Sequence, residues 1–417
     1  MQKLSFILIN LSFPILVLGQ NNVKLSISEV DNIFLSQNLN LLAEQYNIDK
    51  AEAMFIQAGL FENPTLSFEQ IAYNHDTKEY FNTHSQHAVE IEQVINISGK
   101  RSKQKEIERY NIEIARQEFE TVLRELKYIL HSNLIDAAYT LKSISIFDKE
   151  IEQLDRLIKV YNVQYEKGNV SLIEKSRLEA LLFTLKTEQL EHIGKLNEIQ
   201  KQIRLLLNLK QDVTVTPDLG TFEILPSQLN ITQFQDFVES NPQIRIAELQ
   251  TQQEEANLVL QKRLRIPDVA LKGVFDKASN ISLNYVGIGV SVGLPFFDRN
   301  QGNIKAANAQ LAQSKLNHEY RIKEINAEIA SKFANLKLIY DFHISIDKSL
   351  EKDFSNLIEG ISISFEKRNI NMLEFIDYYE TYKETCLKLY ENETKLLIGA
   401  EEINRLVGNN YIKLWSK

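Results

Sequence analysis

The chain has 417 residues, with 47 Lys and Arg against 56 Asp and Glu and a formal net charge of -9. Hydrophobic residues make up 44% of it, which is ordinary for a folded protein. The acidic balance argues against nucleic acid as the main partner, because phosphate binding relies on concentrated Lys and Arg.

The first 20 residues are typical of a secretory signal peptide. They carry Lys3, a mostly apolar run from Leu4 to Leu18, and small residues at the expected cleavage position. We therefore assign residues 1–20 to a signal peptide. An uncleaved membrane anchor is the alternative, although the run is short for a span of about 20 residues.

The single cysteine, Cys386, rules out an intramolecular disulfide. It lies far from the cleavage position, so a lipid anchor on a cysteine there is excluded as well. Cys386 falls within a helical pattern, and we expect it to be a small packing residue.

After the signal peptide the chain repeats one plan. The segment YEKGNVSLIE, residues 165–174, returns as FEKRNINMLE at residues 365–374. Earlier matches at an offset of 203 residues include Phe34/Phe237, Asn38/Asn241, Glu52/Glu255, Ala53/Ala256 and Pro64/Pro267. We predict a first structural repeat over 21–210, a linker over 211–230 that holds Pro217 and Pro226, and a second repeat over 231–417.

The offset falls from 203 to 200 after residue 100, so the second copy is three residues shorter somewhere between about 68 and 95. Length changes concentrate in exposed loops. We therefore expect an exposed loop within that interval.

Each repeat contains a pair of strand-like segments, over about 65–97 and about 268–295. In NYVGIGVSVGLP, branched apolar residues from Val286 to Leu294 alternate with Gly and Ser. This period of two places large apolar side chains on one face and small ones on the other. The first copy offers TLSFEQIAY and HAVEIEQVINI, in which Glu90 and Glu92 alternate with apolar residues. A half-buried hairpin in a soluble α+β domain is the alternative explanation of the strand pattern.

Long helices follow each pair of strands, over about 101–208 and about 301–408. From Phe119 onward, apolar residues recur at steps of three and four, as in antiparallel coiled coils. No Pro occurs between Pro64 and Pro217 or after Pro295, which permits unusually long helices. The first pair reverses near Gly168 and Asn169, residues that accept turn conformations. The second reversal has Arg368 instead of Gly, so we expect a tighter or differently shaped turn there.

Four strands in one chain cannot close a barrel, and open strand edges in lipid would leave backbone groups unpaired. Three chains would supply twelve strands and a matching ring of twelve helices. Strands of about ten residues suit a bilayer crossing. The predicted fold class is thus mainly α with a small transmembrane β part.

The mature chain resembles the TolC-like outer-membrane efflux proteins. The resemblance rests on the duplicated plan, on NPQIRIAE, on SVGLPFFDRNQGNI where strand passes into helix, and on the two turn segments. Together with ISGKRSKQ in the first copy, VGLPFFDRNQGNI is most similar to the heavy-metal (CzcC- and CusC-like) branch.

This resemblance implies a homotrimer in the outer membrane of a Gram-negative cell, with a 12-stranded β-barrel and an α-helical tunnel across the periplasm. It also implies two protein partners. These are a periplasmic adapter, also called a membrane fusion protein, and an inner-membrane pump of the RND type. The chain would be the channel component of a tripartite efflux system and would conduct substrates, divalent metal cations among them.

The resemblance also assigns roles to individual residues. The helical turns that meet the adapter correspond to Gly168, Asn169, Val170, Arg368, Asn369 and Ile370. Inward acidic residues at the aperture correspond to Glu374 and Asp377, whose spacing puts both on one helix face. Their alternative is an ordinary solvated helix face. Because Arg177 stands where the second copy has Asp377, we hypothesise that the second tip carries the gate while the first packs and docks.

The residues expected to face the barrel lumen are Glu90, Glu92 and Lys272.

His75, His84 and His87 lie where the repeat places the first hairpin connection. His-rich tracts can bind metals, but these spacings match no compact site, and an exposed polar loop is the simpler interpretation. Methionine is scarce, with only Met54 and Met372 after the initiator, so a thioether relay for Cu(I) is poorly supported. We assign no metal site and no cofactor.

We expect no enzyme activity, because the sequence has no phosphate loop, nucleophile elbow, HExxH or Cys/His cluster. Two other functions stay open. One is a secreted or periplasmic coiled-coil scaffold or adapter protein, and the other is the outer-membrane channel of a type I protein secretion system.

Overall fold

The structure is a computed structural model that describes residues 21–75, 78–81, 87–220, 240–278, 283–346, 360–408 and 411–414, with single positions at 224, 238 and 358. The signal peptide predicted over 1–20 and the predicted loop residue His84 lie outside the described residues.

Short elements open the first half of the chain, and two long helices close it. Strand β1 (Asn21–Ser26) leads into helices α1 (Ile27–Gln37) and α2 (Leu39–Ala58). Four strands follow, namely β2 (Thr65–Gln70), β3 (Tyr73–Asn74), β4 (Glu79–Tyr80) and β5 (His87–Ile95). Helices α3 (Lys100–Glu166) and α4 (Leu172–Leu207) then run antiparallel. With 67 residues, α3 is roughly 100 Å long.

The second half repeats the order of strands and long helices. Strand β6 (Val213–Asp218) and helix α5 (Pro242–Leu264) precede strands β7 (Val269–Ala278) and β8 (Leu283–Val292). Helix α6 (Gln301–Ser345), the helical residues 360–366 (α7) and helix α8 (Met372–Val407) follow. Strand β6 lies within the predicted linker, where it pairs in parallel with β1.

Helix α6 ends earlier than its counterpart α3 would suggest. Ile346 has an extended ψ of 133°, and its N–H donates to the carbonyl of His343, a three-residue step that closes the last turn. Phe342 and Ile344 in that turn are 58% and 59% exposed. The described helix therefore ends at Ser345 in a largely exposed turn.

The duplication is visible in a pair of asparagines that join short helices to long ones. Asn38 caps α2 through the N–H of Leu41, and its amide donates to the carbonyl of Leu206 at 2.7 Å. Asn241 caps α5 through a backbone N–H two residues ahead rather than three, and its amide donates to the carbonyl of Leu406 at 2.8 Å. Both asparagines are buried. One side chain thus satisfies a helix start and a helix end at once.

The main sheet has the strand order β2-β5-β7-β8, and every pair in it is antiparallel. Strand β5 of the first repeat pairs with β7 of the second, with Ile95 opposite Val269. Both repeats therefore build one sheet, and β2 and β8 are its two edges. Strands β3 and β4 form a small hairpin in the connection between β2 and β5.

The core follows the long helices. One cluster includes Phe147 and Leu154 of α3, Leu185 of α4 and Phe375 of α8. A second cluster joins α1, α3 and α4 around Phe34 and Leu134. None of the described helices contains a stretch long and apolar enough to cross a membrane. The predicted class, mainly helical with a small β part and a duplicated plan, is confirmed.

We expect replacement of Asn241 by Ala to lower the free energy of unfolding by about 2 kcal/mol, since one change removes a helix cap and a buried hydrogen bond. Thermal unfolding of the detergent-solubilised protein, followed by circular dichroism, measures this. Asn326→Ala is the control, because Asn326 is exposed and bonds only the carbonyl of Ile322 on its own helix. Equal shifts in the two variants would contradict the prediction.

Candidate functional site

The main sheet gathers the three charged residues that the sequence assigned to a lumen. Lys272 on β7 lies opposite Glu92 on β5. Its Nζ lies 2.6 Å from Glu92 Oε2 and 2.9 Å from Glu90 Oε1. The three side chains are about one-third exposed, and they form an ion triad on one face of the sheet. One Lys therefore offsets half of the acidic charge that the sequence placed on this face.

The same face carries small residues on the neighbouring strands. Ser67 on β2 pairs with Glu90, and Gly289 on β8 pairs with Lys272. Gly287 lies beneath the ring of Tyr285, where a Cβ atom would stand 2.5 Å from the tyrosine oxygen. A larger side chain there would displace the ring. Glycine at this position leaves room for the Tyr285 ring on the polar face.

The opposite face is apolar and exposed across all four strands. Exposure reaches 72% for Leu66 on β2, 52% for Ile91 on β5, 45% for Leu271 on β7 and 95% for Ile288 on β8. Large apolar side chains in such a continuous patch are unusual on a protein surface that faces only water. This face requires an apolar partner.

The first tip is the turn between α3 and α4. Gly168 has a left-handed φ of 73°, and its N–H donates to the carbonyl of Tyr165 at 2.9 Å. The N–H of Asn169 donates to the carbonyl of Gln164 at 2.9 Å. Ser171 then starts α4 in a capping box with Glu174. Hydrogen bonds from the Ser171 backbone and side chain hold the pKa of the Glu174 carboxyl below its usual range.

The second tip has the same turn, so the expectation of a tighter or differently shaped turn is wrong. Arg368 adopts the left-handed φ of 59°, and its N–H donates to the carbonyl of Phe365 at 2.9 Å. The N–H of Asn369 donates to the carbonyl of Ser364 at 2.8 Å. A non-glycine residue accepts this conformation at a cost of about 1 kcal/mol, and the flanking hydrogen bonds offset that cost.

The two tips are in contact. The Arg368 guanidinium donates to the carbonyl of Asn169 at 3.1 Å. Next to the tips, aromatic rings from α3, α7 and α8 stack on one another. Phe365 stacks on Tyr161 at 5.5 Å and on Phe375 at 4.3 Å between centroids. Val170 and Ile370 are half-buried at the turns, so the two reversals form one packed end of the helical bundle.

Glu374 and Asp377 are exposed on the first turns of α8. Glu374 accepts a hydrogen bond from the Asn371 N–H at 2.9 Å, as the acidic member of a capping box. Within the described parts of the chain, Asp377 has no hydrogen bond or ion pair. A helix-capping role therefore explains Glu374 in a single chain, and the aperture role of the pair stays a prediction.

A buried charged cluster that sequence reasoning missed joins α1, α3 and α8. His131 Nε2 lies 2.8 Å from Asp31 Oδ1, and its Nδ1 lies 3.0 Å from Glu401 Oε1. Burial favours the neutral imidazole, but the two carboxylates outweigh it and raise the pKa of His131 to about 9. His131 is therefore a cation held between two anions at neutral pH.

A second buried group lies nearer the tips. Glu150 on α3 is 2% exposed, and neither carboxylate oxygen has a hydrogen-bond partner among the described residues. Burial raises the pKa of Glu150 to about 8, against the nearby charge of Lys383. Lys383 on α8 pairs with Glu188 on α4 at 2.6 Å. Tyr379 donates to Gln153 at 2.9 Å, so polar contacts fix α8 to both α3 and α4 here.

The described histidines of the first hairpin connection contact aromatic rings. The His75 ring lies 5.8 Å from Tyr73, and the His87 ring lies between Phe68 and Phe275 at 6.5 and 6.4 Å. Across the described residues, no group of three His, Cys, Asp or Glu side chains is arranged to hold a metal ion.

Comparisons with known proteins agree with this fold over most of the chain. The cobalt-zinc-cadmium resistance protein CzcC of Cupriavidus metallidurans is 19% identical over 379 residues, which cover 89% of this chain and 87% of that protein. The solved structure of CusC has a TM-score of 0.74 at 15% identity and covers 92% of each chain. The CmeC outer membrane channel of Campylobacter jejuni has a TM-score of 0.76 at 13% identity, covering 92% of this chain and 85% of that one. No protein-family model matches the sequence.

These likenesses define the class of protein. The chain has the fold of the TolC-like outer-membrane channels. The match to CzcC confirms the resemblance to the heavy-metal branch that the strand-to-helix and turn segments indicated. The expected outer-membrane localisation agrees with the outer-membrane channels among these proteins.

The His131 cluster predicts a pH-dependent contribution to stability. Because the pKa of His131 is raised to about 9, its stabilisation is complete below pH 6.5 and is lost as the pH rises through 9. The unfolding midpoint of His131→Gln should thus lie furthest below that of the wild type at pH 6 and approach it at pH 9.

Circular dichroism melts across this range measure the gap between the two midpoints. His192→Gln is the control, because burial lowers the pKa of His192, so its charge is disfavoured in the folded state and its pH trend has the opposite sign. A gap for His131→Gln that stays constant with pH would show that the cluster does not titrate as described.

Proposed function

We propose that the chain is the outer-membrane channel component of a tripartite efflux system and works as a homotrimer. The observation that carries this proposal is the main sheet, whose one face is apolar and exposed while the other holds the Lys272 ion triad. Lipid on the apolar face and water on the charged face satisfy both sides.

The sheet edges support the trimer. Strands β2 and β8 have no neighbour on their outer sides within the described residues, and unpaired backbone groups in lipid cost several kcal/mol each. In a symmetric trimer, β2 of one chain pairs with β8 of the next. Three sheets of four strands then close a 12-stranded barrel without edges.

The conducting pathway would pass the charged face of the barrel. Glu90, Glu92 and Lys272 leave one net negative charge per chain on this face, and three per trimer. A ring of negative charge raises the local concentration of cations. The pathway continues through the tunnel formed by α3, α4, α6 and α8 towards the tips.

The tips are the proposed docking surface for a periplasmic adapter, which couples the channel to an inner-membrane pump of the RND type. The turn residues Gly168, Asn169, Val170, Arg368, Asn369 and Ile370 form its centre. Leu172, Ile173 and Leu373 beside them are 59%, 69% and 64% exposed, which gives the surface an apolar component. Exposed apolar side chains around polar backbone turns suit a protein partner.

The aperture would be ringed by Glu374 and Asp377. The second tip carries this acidic pair, and its Arg368 also holds the first turn through the Asn169 carbonyl. Both features support the hypothesis that the second tip gates the channel while the first packs and docks. Movement of α8 would have to break this contact before the tips separate.

Divalent metal cations are the proposed substrates. The resemblance to CzcC, a cobalt-zinc-cadmium resistance protein, supports this class, as does the acidic lumen. A scaffold or adapter protein accounts less well for the exposed apolar sheet face, and a type I protein secretion channel shares the fold. We propose no catalytic activity for the chain.

Neutralising the proposed aperture tests its role. Glu374→Gln with Asp377→Asn should lower the preference for cations over anions at least about two-fold in a planar bilayer, because each trimer loses six carboxylates. The control is Glu174→Gln, which removes the equivalent capping carboxylate from the first tip. Unchanged selectivity in the double variant, or an equal change in the control, would count against the aperture.

The lumen triad generates a second test in the same apparatus. Lys272→Met should increase the preference for cations, because it uncovers Glu90 and Glu92 and changes the net charge of the ring from three to six negative charges per trimer. The double variant Lys272→Met/Glu92→Gln restores the original net charge and should return selectivity to the wild-type value. If Lys272→Met leaves the reversal potential unchanged, the triad does not line the pathway.

A further inference from the structure

Four segments of the chain connect the main sheet to the helices, at residues 58–64, 96–105, 262–268 and 293–301. They meet at one end of the sheet, because Ile95, Val269 and Val292 lie side by side in the strand register. We call the residues of these four segments the junction belt. In the proposed trimer they encircle the barrel where it joins the tunnel.

The junction belt concentrates positive charge in an acidic chain. Its segments hold eight Lys and Arg against three Asp and Glu, while the whole chain has a net charge of -9. The connections at the opposite end of the sheet, residues 71–86 and 276–285, hold two Lys and three acidic residues. Positive charge is therefore a property of the helical end alone.

Some cations of the junction belt form ion pairs or hydrogen bonds within the described parts of the chain, and others form no ion pair there. Lys100 pairs with Asp268 at 3.0 Å, Lys103 pairs with Glu106, and Arg263 donates to the Gly99 carbonyl at 2.8 Å. The remaining five form no ion pair within the described parts of the chain. They are Arg101, Lys105, Lys262, Arg265 and Arg299.

Aromatic side chains accompany these cations. The Arg101 guanidinium lies 3.5 Å above the ring of Phe61, which is itself 74% exposed. Phe296 and Phe297, just before Arg299, are 66% and 94% exposed. These exposed rings stand just before β2 and just after β8, at the helical end of the sheet. Aromatic rings beside cations at the edge of an apolar band match the boundary between acyl chains and headgroups.

We propose that the junction belt binds the phosphate groups of anionic phospholipids in the periplasm-facing leaflet of the outer membrane. The rings lie at headgroup depth, and the five unpaired cations contact phosphates around the barrel. This proposal rests on the proposed function, because it requires the barrel to cross the membrane with its helices on the periplasmic side. The belt would fix the depth of the barrel and the level at which the tunnel begins.

Native mass spectrometry of the purified trimer tests this with phosphatidylglycerol and phosphatidylcholine of identical acyl chains. The wild type should retain roughly five-fold more phosphatidylglycerol, and added salt should reduce this preference because salt screens exposed charges. The triple variant Arg101→Gln/Arg265→Gln/Arg299→Gln should lose the preference. The matched control Lys149→Gln/Lys159→Gln/Lys337→Gln removes three exposed cations from the long helices and should keep it.

Each outcome decides the proposal. A trimer that forms and conducts ions but retains both lipids equally would overturn the lipid site and leave the channel function standing. Equal loss of preference in the triple variant and its control would assign the effect to overall charge and overturn the site as well. A wild-type chain that forms no membrane-inserted trimer would overturn both proposals.

Discussion

The backbone hydrogen bonds at the two edges of the main sheet constrain everything else in this molecule. Strands β2 and β8 have no neighbour on their outer sides in the part of the chain that the structure describes, and the outer face of their sheet is apolar. In water this would be an aggregation-prone surface, and in lipid an open edge costs several kcal/mol for each unpaired group. In the proposed trimer, identical neighbours pair the strand edges and lipid covers the apolar face. The proposed trimer, lumen and tunnel all depend on that closure.

The duplicated plan makes such closure geometrically simple. Each repeat supplies one hairpin and one pair of long helices, and β5 and β7 join the hairpins within the chain. Asn38 and Asn241 each cap the short helix of their repeat and donate to a carbonyl near the end of its last long helix. The repeats differ where function is proposed. Arg368 replaces Gly168 without changing the turn, and its side chain then becomes available to hold the neighbouring tip.

Much of this architecture could be predicted from the sequence, because its signals are local. The Pro-free heptad pattern predicted long helices over about 101–208 with a reversal near Gly168, and α3 and α4 span Lys100–Glu166 and Leu172–Leu207. Alternation of Glu90, Glu92 and apolar residues predicted strand faces. The turn at Arg368 was missed because flanking hydrogen bonds can hold a non-glycine residue at positive φ, which composition does not reveal. The end of α6 at Ser345 was missed as well, because no Pro or Gly stands there in the sequence.

The buried charges were also beyond local reasoning. Asp31, His131 and Glu401 lie far apart in the sequence, so only the fold brings them together. Glu150 left no clear signal either, because Ile151 fills the apolar position between Phe147 and Leu154 in the heptad pattern. The division into repeats at 21–210 and 231–417 and the aperture roles of Glu374 and Asp377 stay predictions.

The central claim is edge closure between protomers, and disulfide crosslinking measures it most directly. Cysteines at Ser67 on β2 and at Gly289 or Ser291 on β8 should yield covalent trimers from outer-membrane fractions on non-reducing gels, while each single cysteine should not. Only monomers from every pair would contradict the account.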